Sequence, residues 1–133
     1  MDQTKGQSLL ALVILVGTVG VLIGTTLAFF AGSFVDTSYG YNALVQADAA
    51  ATAGAQDALL RLDRNVAFTN SSGYTLAVGS TTATVTVTPS SSPGLVTILS
   101  VATVSDRTRT ISAVVSVSTT TNQPNIISWQ TIQ

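Results

Sequence analysis

The side chains able to do chemistry are few. There are six Asp, three Tyr, many Ser and Thr, and five basic residues (Lys5, Arg61, Arg64, Arg107 and Arg109), with no Cys, His or Glu among the 133 residues. Without Cys or His the usual zinc and haem ligands, a disulfide framework, a thiol nucleophile and an imidazole base are all excluded. Acid–base work would fall to Asp36, Asp48, Asp57, Asp63 or Asp106 with Arg, Tyr or hydroxyl partners, and no two of these have a spacing that marks a reaction. The expectation is therefore a chain that is not an enzyme and has no catalytic residues, metal or cofactor. A net charge of -1 without clustered Lys or Arg offers no phosphate-binding footprint, so an obligate nucleic-acid partner is not expected. Arg107 and Arg109 suit either a contact with DNA or a neighbouring subunit, or a plain solvated turn. Asp57 precedes Arg61 by four residues, the favourable order for a helical ion pair. Asn70-Ser71-Ser72 fits an N-glycosylation acceptor and equally a Ser-rich loop; Ser90 to Ser92 are candidates for O-linked sugar.

These residues must be positioned by elements whose composition is unusual. Charged residues make up 8% of the chain and hydrophobic ones 46%, against about 25% charged in ordinary soluble domains. The apolar excess lies at the N-terminus, where nothing between Lys5 and Asp36 is charged. Residues 7–35 carry the run Leu9-Leu10-Ala11-Leu12-Val13-Ile14-Leu15-Val16 and continue to Phe29-Phe30, longer than the roughly 20 residues that cross a bilayer as a helix. A cleavable secretory signal has a shorter apolar core. Lys5 precedes the span and predicts a cytoplasmic N-terminus, with the rest of the chain outside. Gly17, Gly20 and Gly24 weaken an isolated helix by about 1 kcal/mol each, and the Gly20–Gly24 spacing permits close helix packing in lipid.

Helical periodicity continues over 36–64. Ala43, Ala47, Ala50, Gly54, Ala58 and Leu62 recur at three- and four-residue steps, flanked by Leu44, Ala51, Ala55 and Leu59. A helix unbroken from Gln7 to Leu62 would measure roughly 84 Å at about 1.5 Å per residue. From 65 to 133 the pattern changes. Asn70-Ser71-Ser72-Gly73 reads as a loop, and Thr82 to Thr88 alternates Thr with Ala83, Val85 and Val87. Leu95 to Val104 and Thr108 to Thr119 are further long strands, joined by Ser105-Asp106-Arg107. Tyr74–Val78 and Ile126–Ile132 are shorter outer candidates, with Trp129 capping a sheet edge and Asn122 to Asn125 as a connection. From Val66 onward 27 of 68 residues are Ser or Thr and only Asp106, Arg107 and Arg109 are charged, so one sheet face is solvated by hydroxyls and the other must be buried. The small-residue stripe of the helix is the surface available to cover it. The expected fold is α+β: a long N-terminal helix, transmembrane and then amphipathic, packed on an antiparallel sheet of four or five strands.

The segment Lys5-Gly6-Gln7-Ser8 ahead of Leu9-Leu10-Ala11-Leu12 resembles the class III signal of type IV prepilins, and Asn42–Ala50 through Asp57–Leu62 resembles the helical region of PilX-like minor pilins and type II secretion pseudopilins. The resemblance covers the whole chain. It implies a leader, 1–6, removed after Gly6 by a prepilin peptidase that methylates the new N-terminus at Gln7, and an assembly helix including Leu9, Leu10, Ala11, Leu12, Gly17, Gly20 and Gly24. It also implies a filament subunit whose partners are other pilin subunits, the peptidase, the membrane and an inner-membrane assembly platform. Within that family Gly17 to Thr26 could mark a stretch that unwinds on assembly.

Two departures stand out. The Glu usual five residues into a mature pilin is Ala11 here, and the frequent C-terminal Cys pair is absent; the missing acid favours a minor or tip-associated subunit. The expected location is the cytoplasmic membrane, single-pass with the head outside, and then a periplasmic or extracellular filament. The competing expectation is a bitopic surface protein whose β-head binds a partner without polymerising, which predicts no cleavage at Gly6.

Overall fold

A computed structural model describes residues 3–118, 120–121 and 123–132. The chain divides into two units, Met1–Tyr39 and Gly40–Gln133, and each is taken in turn.

The first unit is wholly helical where described, as the opening part of helix α1 (Gln3–Arg64). Leu, Val, Gly and Thr are its commonest residues and no Pro interrupts it. Its Thr hydroxyls turn back on the helix: Thr18 Oγ1 donates to the Leu15 carbonyl at 2.9 Å, Thr25 to Val21 at 2.9 Å and Thr26 to Leu22 at 2.7 Å. Each side chain thus satisfies its own donor, which an apolar surrounding requires. The helix starts four residues before the expected Gln7, because Gln3-Thr4-Lys5 contains nothing that breaks a helix and a single Gly at position 6 is tolerated. Met1 and Asp2 of the expected leader lie outside the described residues.

The second unit holds the remainder of α1 and a five-stranded meander, β1 (Asn70–Val78), β2 (Thr81–Pro89), β3 (Leu95–Val104), β4 (Arg107–Val117) and β5 (Pro124–Ile132), paired antiparallel in chain order. Arg61 and Arg64 stand in the last helical turn, where their charge complements the carbonyl end. Asn65 then ends it: its side-chain Oδ1 accepts from the Ala67 amide at 3.1 Å and its carbonyl from the Phe68 amide at 2.9 Å. The α+β expectation is met with five strands, and β3 has the expected limits. Elsewhere the boundaries move. Asn70 to Gly73, expected as a loop, belongs to β1, and β5 begins at Pro124 rather than Ile126, because cross-strand pairing (Asn70 with Val87, Val117 with Pro124) recruits residues of weak strand propensity. β4 runs from Arg107, one residue before the expected Thr108, to Val117; its expected end, Thr119, lies outside the described residues. Only Ser105 and Asp106 form the β3–β4 turn, both with positive φ (46° and 61°), as a two-residue I′ loop requires.

Alternation sets the faces. Ala83, Val85 and Val87 on β2, Val96, Ile98, Ser100 and Ala102 on β3, and Ile111, Ala113, Val115 and Val117 on β4 are buried. Register aligns them in rows such as Val85–Ser100–Ile111 and Val87–Ile98–Ala113. The stripe Ala43, Ala47, Ala50, Ala51, Ala55, Ala58 and Leu62 of α1 is buried too, and from Ala50 onward its members join the strands in one apolar cluster. Larger strand side chains meeting small helix residues brings the helix axis close. Each buried Val, Ile or Leu contributes about 1.5–3 kcal/mol.

Candidate functional site

The first unit presents its site as a surface. Leu9, Leu10 and Leu12 are about two-thirds exposed, as are most apolar side chains from Val13 to Phe34. This stretch is long and apolar enough to cross a membrane. Left in water, so many uncovered side chains would cost on the order of tens of kcal/mol at about 1.5–3 kcal/mol each. An apolar surrounding, such as lipid or other apolar helices, would remove that cost. Gly17, Gly20 and Gly24 have open space where a Cβ would stand. A shallow apolar concavity lies over Ile14, Gly17, Thr18, Val21 and Leu22, a shape that admits a close-packed neighbour. Lys5 and Gly6 lie in the first turns of α1, Gln7 is exposed, and Ala11 stands within the apolar run.

The second unit carries one polar cluster with organised geometry. Arg61 Nε donates to Asp57 Oδ2 at 2.7 Å, as the four-residue spacing predicts. The Tyr74 hydroxyl, from β1, donates to the same oxygen at 2.8 Å. The Arg61 guanidinium lies 4.4 Å from the Tyr74 ring centroid and 5.8 Å from that of Phe68, and the two rings meet edge to face. Partial burial pushes the Asp57 carboxyl up, but the Arg61 and Tyr74 hydrogen bonds and the charges of Arg61 and Arg64 outweigh it and hold the group below its ordinary value. Burial first, then the hydrogen bond to the Asp57 carboxylate, pushes the Tyr74 phenol well above its usual range. Its bond to Asp57 drives the Arg61 pKa higher still. All three groups are held in their ordinary charge states, so the cluster clamps β1 to the end of α1; no group in it is poised for proton transfer. Tyr74 and Phe68 were not legible as its members. The available signal was scarcity of charge: a phenol in a portion of chain with almost no charge has few ionised acceptors besides the helix carboxylates.

The other polar residues stand apart. Arg107 is exposed, with Nη2 3.6 Å from where a Cβ on Gly40 would lie. Arg109 lines a shallow groove with Tyr41, Leu44, Val45, Asp48 and Thr131, and its Nε is buried without a hydrogen-bond partner among the described residues. Asn70 begins edge strand β1, and Ser72 Oγ donates to its Oδ1 at 3.2 Å. Trp129 sits on the opposite edge strand, paired with Ala113 and 39% exposed. Among the described residues no three Asp side chains gather as a metal site. The chain matches no protein-family model, and comparison with curated proteins and with solved structures likewise finds no match.

Proposed function

We propose that this chain is a structural subunit of a type IV pilus-like filament or pseudopilus, minor or tip-associated, cut after Gly6 by a prepilin peptidase and assembled through its apolar helix. The observation that carries the reading is that one helix supplies both an uncovered apolar stretch from Leu9 onward and, later, the small-residue stripe packed on a five-stranded meander. The Lys5-Gly6-Gln7 junction ahead of that stretch adds the processing signal.

Before assembly the apolar stretch lies in the cytoplasmic membrane, with the β-sheet portion outside. Moving it from lipid into a bundle of similar helices keeps its side chains away from water throughout, so the transfer changes hydrophobic free energy little. Close approach at Gly17, Gly20 and Gly24 then favours packing between helices, where dispersion rather than burial discriminates. With Ala at position 11, the chain offers no carboxylate to the N-terminal ammonium of a neighbouring subunit, and an unpaired charge is costly in hydrocarbon. Used as a minor subunit at one end of the filament, the chain leaves that contact unmade once; as the main subunit it would leave it unmade in every layer. The partners of this reading are other pilin-like subunits, the peptidase and an inner-membrane assembly platform.

Intact mass and N-terminal sequencing of the protein from native membranes and from sheared surface filaments test it. A chain beginning at Gln7, heavier by one methyl and present at trace level in the sheared fraction, is the expected result. Abundance there makes it the main subunit instead. A chain that keeps its leader and never leaves the membrane overturns the proposal in favour of a non-polymerising bitopic surface protein.

A further inference from the structure

We propose that Asn70 is an acceptor for an N-linked glycan. The inference rests on the reading that the β-sheet portion lies outside the cytoplasmic membrane. Of the five Asn residues, at 42, 65, 70, 122 and 125, only Asn70 is followed two positions on by Ser or Thr, and Ser71 between them is not Pro.

The fold presents this triplet as an acceptor needs it. β1 is an edge strand of the meander. Asn70 opposes Val87 and Tyr74 opposes Val85, so Ser71, Ser72 and Gly73 face Thr86 alone and bulge from the ladder. Gly73 makes the bulge possible: its φ is +82°, and a Cβ there would meet Thr86 Cγ2 at 3.1 Å. Ser71 and Ser72 are exposed and Asn70 is half-buried. The Ser72 hydroxyl donates to Asn70 Oδ1 at 3.2 Å, which joins the two recognised side chains of the triplet and engages the carboxamide through its oxygen rather than its nitrogen.

The edge also has a need that a glycan meets. Of charge, Pro and a bulge, the usual guards of an edge strand against pairing with another sheet, β1 has the bulge alone, and its regular part from Tyr74 to Val78 carries neither of the others. A hydrated sugar chain at the bulge shields the unpaired side of β1.

The donor is a glycan linked to a membrane lipid through pyrophosphate, transferred by a membrane enzyme. Nδ2 of Asn70 attacks the anomeric carbon and forms a C–N bond. The C–O bond to the pyrophosphate breaks and its electron pair leaves with the lipid pyrophosphate, while the carboxamide nitrogen gives one proton to the transferase's base. No oxidant or reductant is needed.

The test uses the full chain purified from membranes of the source cells, digested and sequenced by mass spectrometry with fragmentation that keeps sugars attached. The expected result is a sugar mass on Asn70, lost in Asn70→Gln and in Ser72→Ala and retained in Ser72→Thr, which keeps the hydroxyl. An unmodified Asn70, or sugar confined to the serines, overturns the proposal. The N-terminal peptide in the same digest separates the two readings: a chain starting at Gln7 with bare Asn70 overturns only the acceptor, and a glycosylated chain that retains its leader overturns only the filament subunit. Protection of the β-sheet portion from protease added outside spheroplasts overturns both.

Discussion

Gly54 on α1 faces Ser100 on β3 with no room for a side chain between them. A Cβ built on Gly54 would overlap Ser100 Oγ, and it would lie 2.8 Å from Val85 Cγ2 and 3.1 Å from Ala83 Cβ. Ser100 is fully buried and its hydroxyl has no hydrogen-bond partner among the described residues. Two central strands and the helix thus meet where one side chain is hydrogen and the next is an unsatisfied hydroxyl.

Gly54→Ala gains about 1 kcal/mol of helix propensity but forces a methyl into paired strands, which costs about 1–3 kcal/mol. Three neighbours within 3.1 Å put the cost at the upper end of that range, so the β-sheet portion is expected to lose about 2 kcal/mol net, read as an earlier thermal loss of the Trp129 near-ultraviolet signal of the full chain in detergent. Unchanged melting would show that the contact is loose.

Ser100→Ala removes the unsatisfied hydroxyl and should be neutral or stabilising by up to about 1–2 kcal/mol. It should also rescue much of the loss in Gly54→Ala, with a coupling of about 0.5–3 kcal/mol in the double-mutant cycle. Strict additivity would separate the two residues.

The Asp57–Tyr74 bond predicts opposite limbs of a pH profile. Asp57 has a lowered carboxyl pKa in the folded chain, so its contribution is present above the unfolded value of about 3.9 and is lost as pH falls through the folded one. Tyr74 has a raised one; its contribution is present below about pH 10 and is lost as pH rises above that. Asp57→Asn should flatten the acid limb and Tyr74→Phe the alkaline limb of melting temperature against pH. Tyr74→Phe should keep the ring against Arg61.

Val21→Lys places a charge at the middle of the apolar run, at about 2.5–3.5 kcal/mol in membrane insertion. We expect the wild-type chain to resist alkaline extraction from membranes and the variant to be released in larger part. Equal release would mean that this stretch is not held by lipid.

Gly73→Val puts a β-branched residue at φ +82° against Thr86, a strain of about 1–3 kcal/mol. Loss of protection at β1 amides, with β3 amides unaffected, is the expected hydrogen-exchange pattern.

Composition and period alone determined a great deal here, because one local rule governs each stretch. The uncharged run from Gly6 to Val35, the stripe from Ala43 to Leu62 and the Thr–Val alternation of β2 each repeat with the period of a single element, and the stripe had only the sheet to cover. The Asp57–Arg61 pair was legible for the same reason, since helix geometry alone brings its two members together. The processing roles of Lys5, Gly6 and Gln7 came only through resemblance. Tertiary structure decided what depends on residues far apart in the chain. Asn70 to Gly73 became strand only because β2 stood beside it. Tyr74 found Asp57 across 17 residues; Trp129 was placed by the register of β5 on β4; and Gly54 met Ser100 because two surfaces had to close on each other. No local period encodes such contacts. They follow from the one alignment of helix and sheet that buries Ile98, Val85 and Ile111 together.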